Sequence, residues 1–180
     1  CLIALPGTVG AQVEKPLVLS EGGRTILTYN ATYQESPEKK APWFGRSGFI
    51  HPVLSPSRVV VTDDFPIGHR HQHGIMFAWT NAIIDGQSVD FWNSPKKQSL
   101  VEHVETTKSD EGQIQVKLRH MDLTAKPPKT VIHETWTLTV VPNSTLNIFD
   151  FESVMKVDEP LHVGEYRYGG LCVRGSAKWA

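Results

Sequence analysis

The chain has 180 residues, of which 39% are hydrophobic and 21% charged, with 18 Lys+Arg against 19 Asp+Glu for a formal net charge of −1. That balance excludes a disordered chain, which needs low hydrophobicity and high net charge, and supplies no basic face for nucleic acid. Two cysteines, Cys1 and Cys172, are too few for a disulfide framework, and no CxxC pair marks a zinc ribbon.

Residues 1–5 are apolar, and Pro6-Gly7 and the small residues Val9 and Ala11 precede a polar start at Gln12. This pattern reads as the end of a secretory signal peptide cleaved after Ala11, with residues 1–11 as its remnant. The alternatives are a lipoprotein beginning at Cys1 and a short buried strand. An exported protein, periplasmic or extracellular, is therefore expected. Nothing else approaches the roughly 18 apolar residues of a membrane span.

Beyond residue 12 the apolar pattern has period two. Strands are predicted over 24–29, 48–53, 58–62, 73–84, 98–107, 112–122, 130–141, 145–154 and 161–174. Turn chemistry separates them at Ser55-Pro56-Ser57, Asp85-Gly86, Asn93-Ser94-Pro95, Asp110-Glu111-Gly112, Lys126-Pro127-Pro128 and Val141-Pro142-Asn143. Short connections favour antiparallel neighbours, hence an all-β sandwich or barrel formed as one domain. In 130–140 the even positions place Glu134 among Ile132, Trp136 and Leu138. A carboxylate on that face must be paired, neutralised or held in a cleft. Glu134 is therefore either a catalytic carboxylate or the partner of a neighbouring arginine. Asp150 and Glu152 read as an exposed acidic strand end.

The most unusual chemistry lies in Asp63-Asp64-Phe65-Pro66-Ile67-Gly68-His69-Arg70-His71-Gln72-His73-Gly74. If extended, His69, His71 and His73 share a face, with neighbours about 6.6–7 Å apart. Two can chelate one ion; a turn at Gly68 or Gly74 is needed to gather three. The imidazoles can bind a polar ligand and act as acid or base near neutral pH. They can instead hold a divalent transition metal, with His69, His71, His73 and Asp64 (or His51) as ligands. The third reading is structural, with the rings bonded to buried backbone carbonyls. No carboxylate follows on the same hairpin, which excludes a cupin. Trp79, Phe91 and Trp92 are candidate stacking surfaces for a sugar ring. There is no nucleophile elbow, phosphate-cradling glycine loop or HExxH. Asn30-Ala31-Thr32 and Asn143-Ser144-Thr145 match the glycosylation acceptor pattern.

Several segments together resemble the PmoA-like family of exported bacterial proteins. They are Arg46-Ser47-Gly48-Phe49-Ile50-His51-Pro52-Val53, Asp64-Phe65-Pro66, His71-Gln72-His73-Gly74-Ile75, Asp90-Phe91-Trp92, Glu134-Thr135-Trp136-Thr137-Leu138 and Tyr168-Gly169-Gly170-Leu171-Cys172-Val173-Arg174. The resemblance implies an antiparallel β-sandwich of the galactose-mutarotase-like type, with residues 12–180 as its N-terminal portion and further strands beyond. Members of that superfamily are mostly carbohydrate-active, and its chemistry pairs a histidine acid with a glutamate base across the anomeric centre of a sugar. Matched here by residue type, His71 or His73 would pair with Glu134 as catalytic groups. Arg46, His51, His69, Trp79, Trp92 and Arg174 would contact a small saccharide. No cofactor is required on this reading. The activity expected is of epimerase, hydrolase or lyase type, with binding alone, metal-dependent chemistry on the histidine cluster and a non-catalytic extracellular module as alternatives.

Overall fold

A computed structural model describes residues 15–179; the signal-peptide expectation lies outside the described residues. Among the described residues, twelve strands form three antiparallel sheets. The first orders β1 (Leu17–Glu21), β2 (Arg24–Asn30), β3 (Phe49–Val53), β4 (Ile75–Ala78) and β12 (Gly170–Val173) side by side. The second orders β10 (Ile148–Lys156), β9 (Lys129–Val141), β8 (Gln113–Asp122) and β7 (Ser99–Asp110). A small third sheet pairs β5 (Ala82–Ile84) with β6 (Gln87–Val89) on one side and β11 (Leu161–Val163) on the other. The all-β, sandwich-like architecture is the one the period-two pattern predicts.

Alternation builds the core. On β8, Ile114, Val116, Leu118 and His120 are buried while Lys117 and Arg119 face outward. On β9, Ile132, Glu134, Trp136 and Leu138 face the same interior. The five-stranded sheet meets them with Leu19, Leu27, Tyr29, Phe49, Ile50 and Met76, all fully enclosed. Tyr29 stands edge-on to Trp136 with ring centroids 5.9 Å apart. Gly48, at φ +68, leaves room where a Cβ would lie 2.7 Å from Leu118 Cδ2. A larger residue there would hold the sheets apart. Asp150 and Glu152 are exposed on the outer face of β10, as expected.

Four strand predictions change. Residues 58–62 form only isolated bridges, Leu54 to Val60 and Thr62 to Gly175, because Arg58 sits at φ +65 and kinks the chain. The predicted strand over 73–84 is two strands, since the chain turns at residues 79–81 to leave the first sheet for the third. The span 161–174 also divides. Gly164 packs where a Cβ would meet Asn81, and Gly169 and Gly170 at φ +140 and +86 re-aim the chain into β12. The predicted strand from 145 begins at Ile148, because Asn143 Oδ1 accepts from the Thr145 and Leu146 amides in a side-chain turn. Strands β1 and β6 are additions to the predicted set. No helix among the described residues is long and apolar enough to cross a membrane.

Candidate functional site

The histidine segment is a turn, not a strand. His69 N–H bonds back to Pro66 O at 3.0 Å and Gln72 N–H to His69 O at 2.9 Å, with Gly68 at φ +80. The three imidazoles therefore part company. His69 points to solvent, with its ring 6.1 Å from that of His71. His71 is half-buried. His73 is 1% exposed and enters the core just before β4.

His73 is held on three sides. Its Nδ1 lies 2.6 Å from Asp64 Oδ1, the two residues forming an isolated bridge between their backbones. Phe65 stands edge-on to the ring at 4.6 Å and Phe49 packs at 5.0 Å. Burial keeps its pKa below the usual histidine value and outweighs the hydrogen bond and charge of Asp64, which pull the other way. Burial also lowers the pKa of His71; the charges of His69 and His73 add to the effect, and Asp90 opposes it.

Arg46 is the second anchor. It follows the 3₁₀ turn Pro42–Phe44, is 8% exposed, and donates to Ser47 O, Met76 Sδ and Phe77 O. No carboxylate is bonded to it among the described residues. Its pKa falls to about 10 through burial, against the charges of Glu134, Tyr29 and Cys172, so it is cationic at neutral pH. Arg46, His71 and His73 line a narrow slot of about 40 Å³ with Trp43, Trp92 and Ser94. Trp43 and Ser94 come from the two 3₁₀ turns, Pro42–Phe44 and Ser94–Lys96, which pack together. Trp43 Nε1 and Ser94 Oγ are both shut off from solvent without a hydrogen-bond partner. Neither residue carried a sequence signal beyond turn chemistry.

A wider trough of about 340 Å³ is lined by Trp79, Thr80, Tyr166, Arg167 and Tyr168 among others. Trp92 of the slot lining packs against Tyr168 of the trough lining with rings 5.4 Å apart, and Tyr166 stands edge-on to Tyr168 at 4.9 Å. Trp92, expected as a stacking surface, is 8% exposed and backs Tyr168, while Tyr166 is 53% exposed. The exposed aromatic surface thus belongs to the loop between β11 and β12. Trp79 lines the trough with its Nε1 buried and unpartnered.

The other expected residues lie elsewhere. Glu134 is 1% exposed in the core and bonded to His120, not to an arginine and not beside His71. Its enclosure separates it from any ligand in the slot. His51 Nδ1 is 2.9 Å from Thr62 Oγ1, away from the slot lining, and burial lowers its pKa against the opposing charges of Asp64 and Asp63. Arg174 donates through Nη1 to Gln72 Oε1 at 3.2 Å, bracing the histidine turn. Among the described residues no three His, Cys, Asp or Glu side chains are grouped to hold a metal ion. The expected ligand set of His69, His71, His73 and Asp64 is not assembled, because His73 turns inward to Asp64 while His69 faces solvent.

Fold and site together define an all-β antiparallel sandwich-like protein with a donor-lined slot opening beside an aromatic trough. The chain belongs to a family of unknown function, DUF6807, which matches residues 17–180. No curated protein and no solved structure matches it.

Proposed function

We propose that this is an exported saccharide-binding protein whose ligand anchors one substituent in the Arg46–His71 slot and lays a ring across the Tyr166–Tyr168 trough. The observation that carries this reading is the pairing of unsatisfied, enclosed polar atoms at Trp43 and Ser94 with an exposed aromatic surface one ring contact away. Sugars are recognised by that combination of fixed hydrogen-bond groups and flat apolar faces. A trough of about 340 Å³ falls within the range of small-molecule sites. The resemblance to PmoA-like proteins supports a carbohydrate ligand, and the apolar residues 1–5 ahead of Val9 and Ala11 support export. Binding is favoured over chemistry between His71 and Glu134, since Glu134 is enclosed in the core.

The test is a calorimetric and thermal-shift screen of the protein against mono- and oligosaccharides. A saccharide that raises Tm, with the rise lost in His71→Ala while circular dichroism is unchanged, supports the reading. No response to any saccharide overturns it.

A further inference from the structure

Two of the slot's side chains, Trp43 and Arg46, can only donate, and that narrows the ligand. Trp43 Nε1 can only donate, and it is enclosed without an acceptor. Arg46 can only donate, and it is a buried cation whose three nitrogens reach two backbone carbonyls and a thioether but no carboxylate. Ser94 Oγ is the second enclosed atom of the slot without a partner. No Asp or Glu lines the slot. The nearby Asp90 carboxylate is already engaged by the Trp92 and Asn93 amides, the Asn93 side chain and Lys96. Lys97 Nζ lies 4.1 Å from the centre of the Trp43 ring, placing a further positive charge against a slot-lining indole.

A neutral hydroxyl in this slot offers Trp43 Nε1 and the Arg46 cation one uncharged acceptor between them. An oxyanion accepts from both and gives Arg46 a directly bonded carboxylate or sulfate, where the structure provides only the non-bonded charge of Glu134. Size points the same way: the slot, at about 40 Å³, is far smaller than the trough at about 340 Å³, which suits a substituent in the slot and a ring in the trough.

Resting on the saccharide-binding reading, we infer that the slot selects saccharides bearing an oxyanion, a uronate carboxylate or a sulfate ester, seated against Arg46, Trp43 and Ser94. Galacturonate and galactose 6-sulfate, compared with galactose by isothermal titration calorimetry, distinguish the two sources of negative charge. At least one oxyanionic sugar should bind about tenfold or more tightly than galactose, the scale of a charge-assisted hydrogen bond. Trp43→Phe removes the indole N–H, and Ser94→Ala removes the hydroxyl. Each should shrink that preference several-fold, read as the ratio of oxyanionic-sugar to galactose affinity within the same variant; Ser94→Ala keeps the test open if Trp43→Phe fails to fold. Galactose binding as tightly as both oxyanionic sugars overturns this inference and leaves saccharide binding standing. An oxyanion preference unmoved in both variants also overturns it. No binding by galactose, either oxyanionic sugar or any saccharide of the wider panel overturns both readings.

Discussion

Glu134 Oε2 and His120 Nε2 lie 2.7 Å apart between β9 and β8, with both side chains wholly enclosed. The other carboxylate oxygen accepts from Trp136 Nε1 and Ser153 Oγ, each at 2.5 Å. Leu118, not His120, is the register partner of Glu134, so the pair is a diagonal contact on the inner face. A carboxylate in the middle of an apolar strand face is thereby fully bonded by its neighbours, as burial demands.

Removing it should be costly. Glu134→Ala leaves His120, Trp136 and Ser153 without their acceptor and is expected to lose about 3–5 kcal/mol in urea unfolding. Burial by itself would raise the Glu134 pKa, but the hydrogen bond and charge of His120 and the bonds from Ser153 and Trp136 together hold it below 4.5. A carboxylate with a depressed folded pKa contributes stability that is present above its unfolded value and lost as pH falls through the folded one. Acid unfolding of the wild type should therefore steepen below about pH 4.5, and Glu134→Gln should flatten that limb. A loss under about 1 kcal/mol for Glu134→Ala would contradict the bonding described.

The strands of the four-stranded sheet are legible because alternation in 112–122 and 130–141 is strict, and alternation alone turns Glu134 inward. Its partner was not legible. His120 reaches Glu134 only through the register of two strands, which period two does not specify. Among the site residues, Arg46, His71, His73 and Trp92 were marked by their chemistry and do line one slot. Trp43, Ser94 and Tyr166 were not marked, because they stand in turns and a loop whose meeting depends on tertiary packing. The spacing of His69, His71 and His73 suggested one shared face, but Gly68 at φ +80 makes a turn that sends each ring a different way.

Gly74, which closes the His-Gln-His-Gly segment, should tolerate no side chain. It sits at φ +36, and a Cβ there would collide with the Ile50 carbonyl oxygen on β3. Gly74→Ala is expected to cost about 3 kcal/mol or more, read as a lower urea midpoint or failure to fold. Gly112, at φ +83 in the β7–β8 turn, has nothing within 4 Å of a built Cβ. Gly112→Ala should cost only about 1–2 kcal/mol, from backbone conformation alone. Equal losses at the two positions would show that the Ile50 contact does not matter.

Stability should fall on mild acidification because of His73. Burial places its folded pKa below 6.5, despite the bond to Asp64, so the unfolded chain takes up a proton that the folded one resists. By linkage its contribution is complete above about pH 6.5 and is lost as pH drops toward the folded value. His51 and His71, also shifted down by burial, act in the same direction. Tm should therefore decline between pH 7.5 and 5, and the decline should be smaller in an Asp64→Asn, His73→Phe double variant. A Tm that rises over that interval would reverse the assignment.

Tyr166, rather than Trp92 or His69, should separate ligand binding from stability. Tyr166 is 53% exposed and lines the trough, so Tyr166→Ala should keep the wild-type Tm and weaken saccharide binding by about tenfold, the upper range of an aromatic contact. Trp92 is nearly buried and supports Tyr168 from behind; Trp92→Ala should lose about 3–5 kcal/mol of stability whatever the ligand. His69 faces solvent outside the slot lining, so His69→Ala should leave both quantities unchanged. Urea unfolding and saccharide titration on the three variants check the division. Full affinity in Tyr166→Ala would move the ring-binding surface away from the β11–β12 loop, because that substitution removes the most exposed aromatic face of the trough.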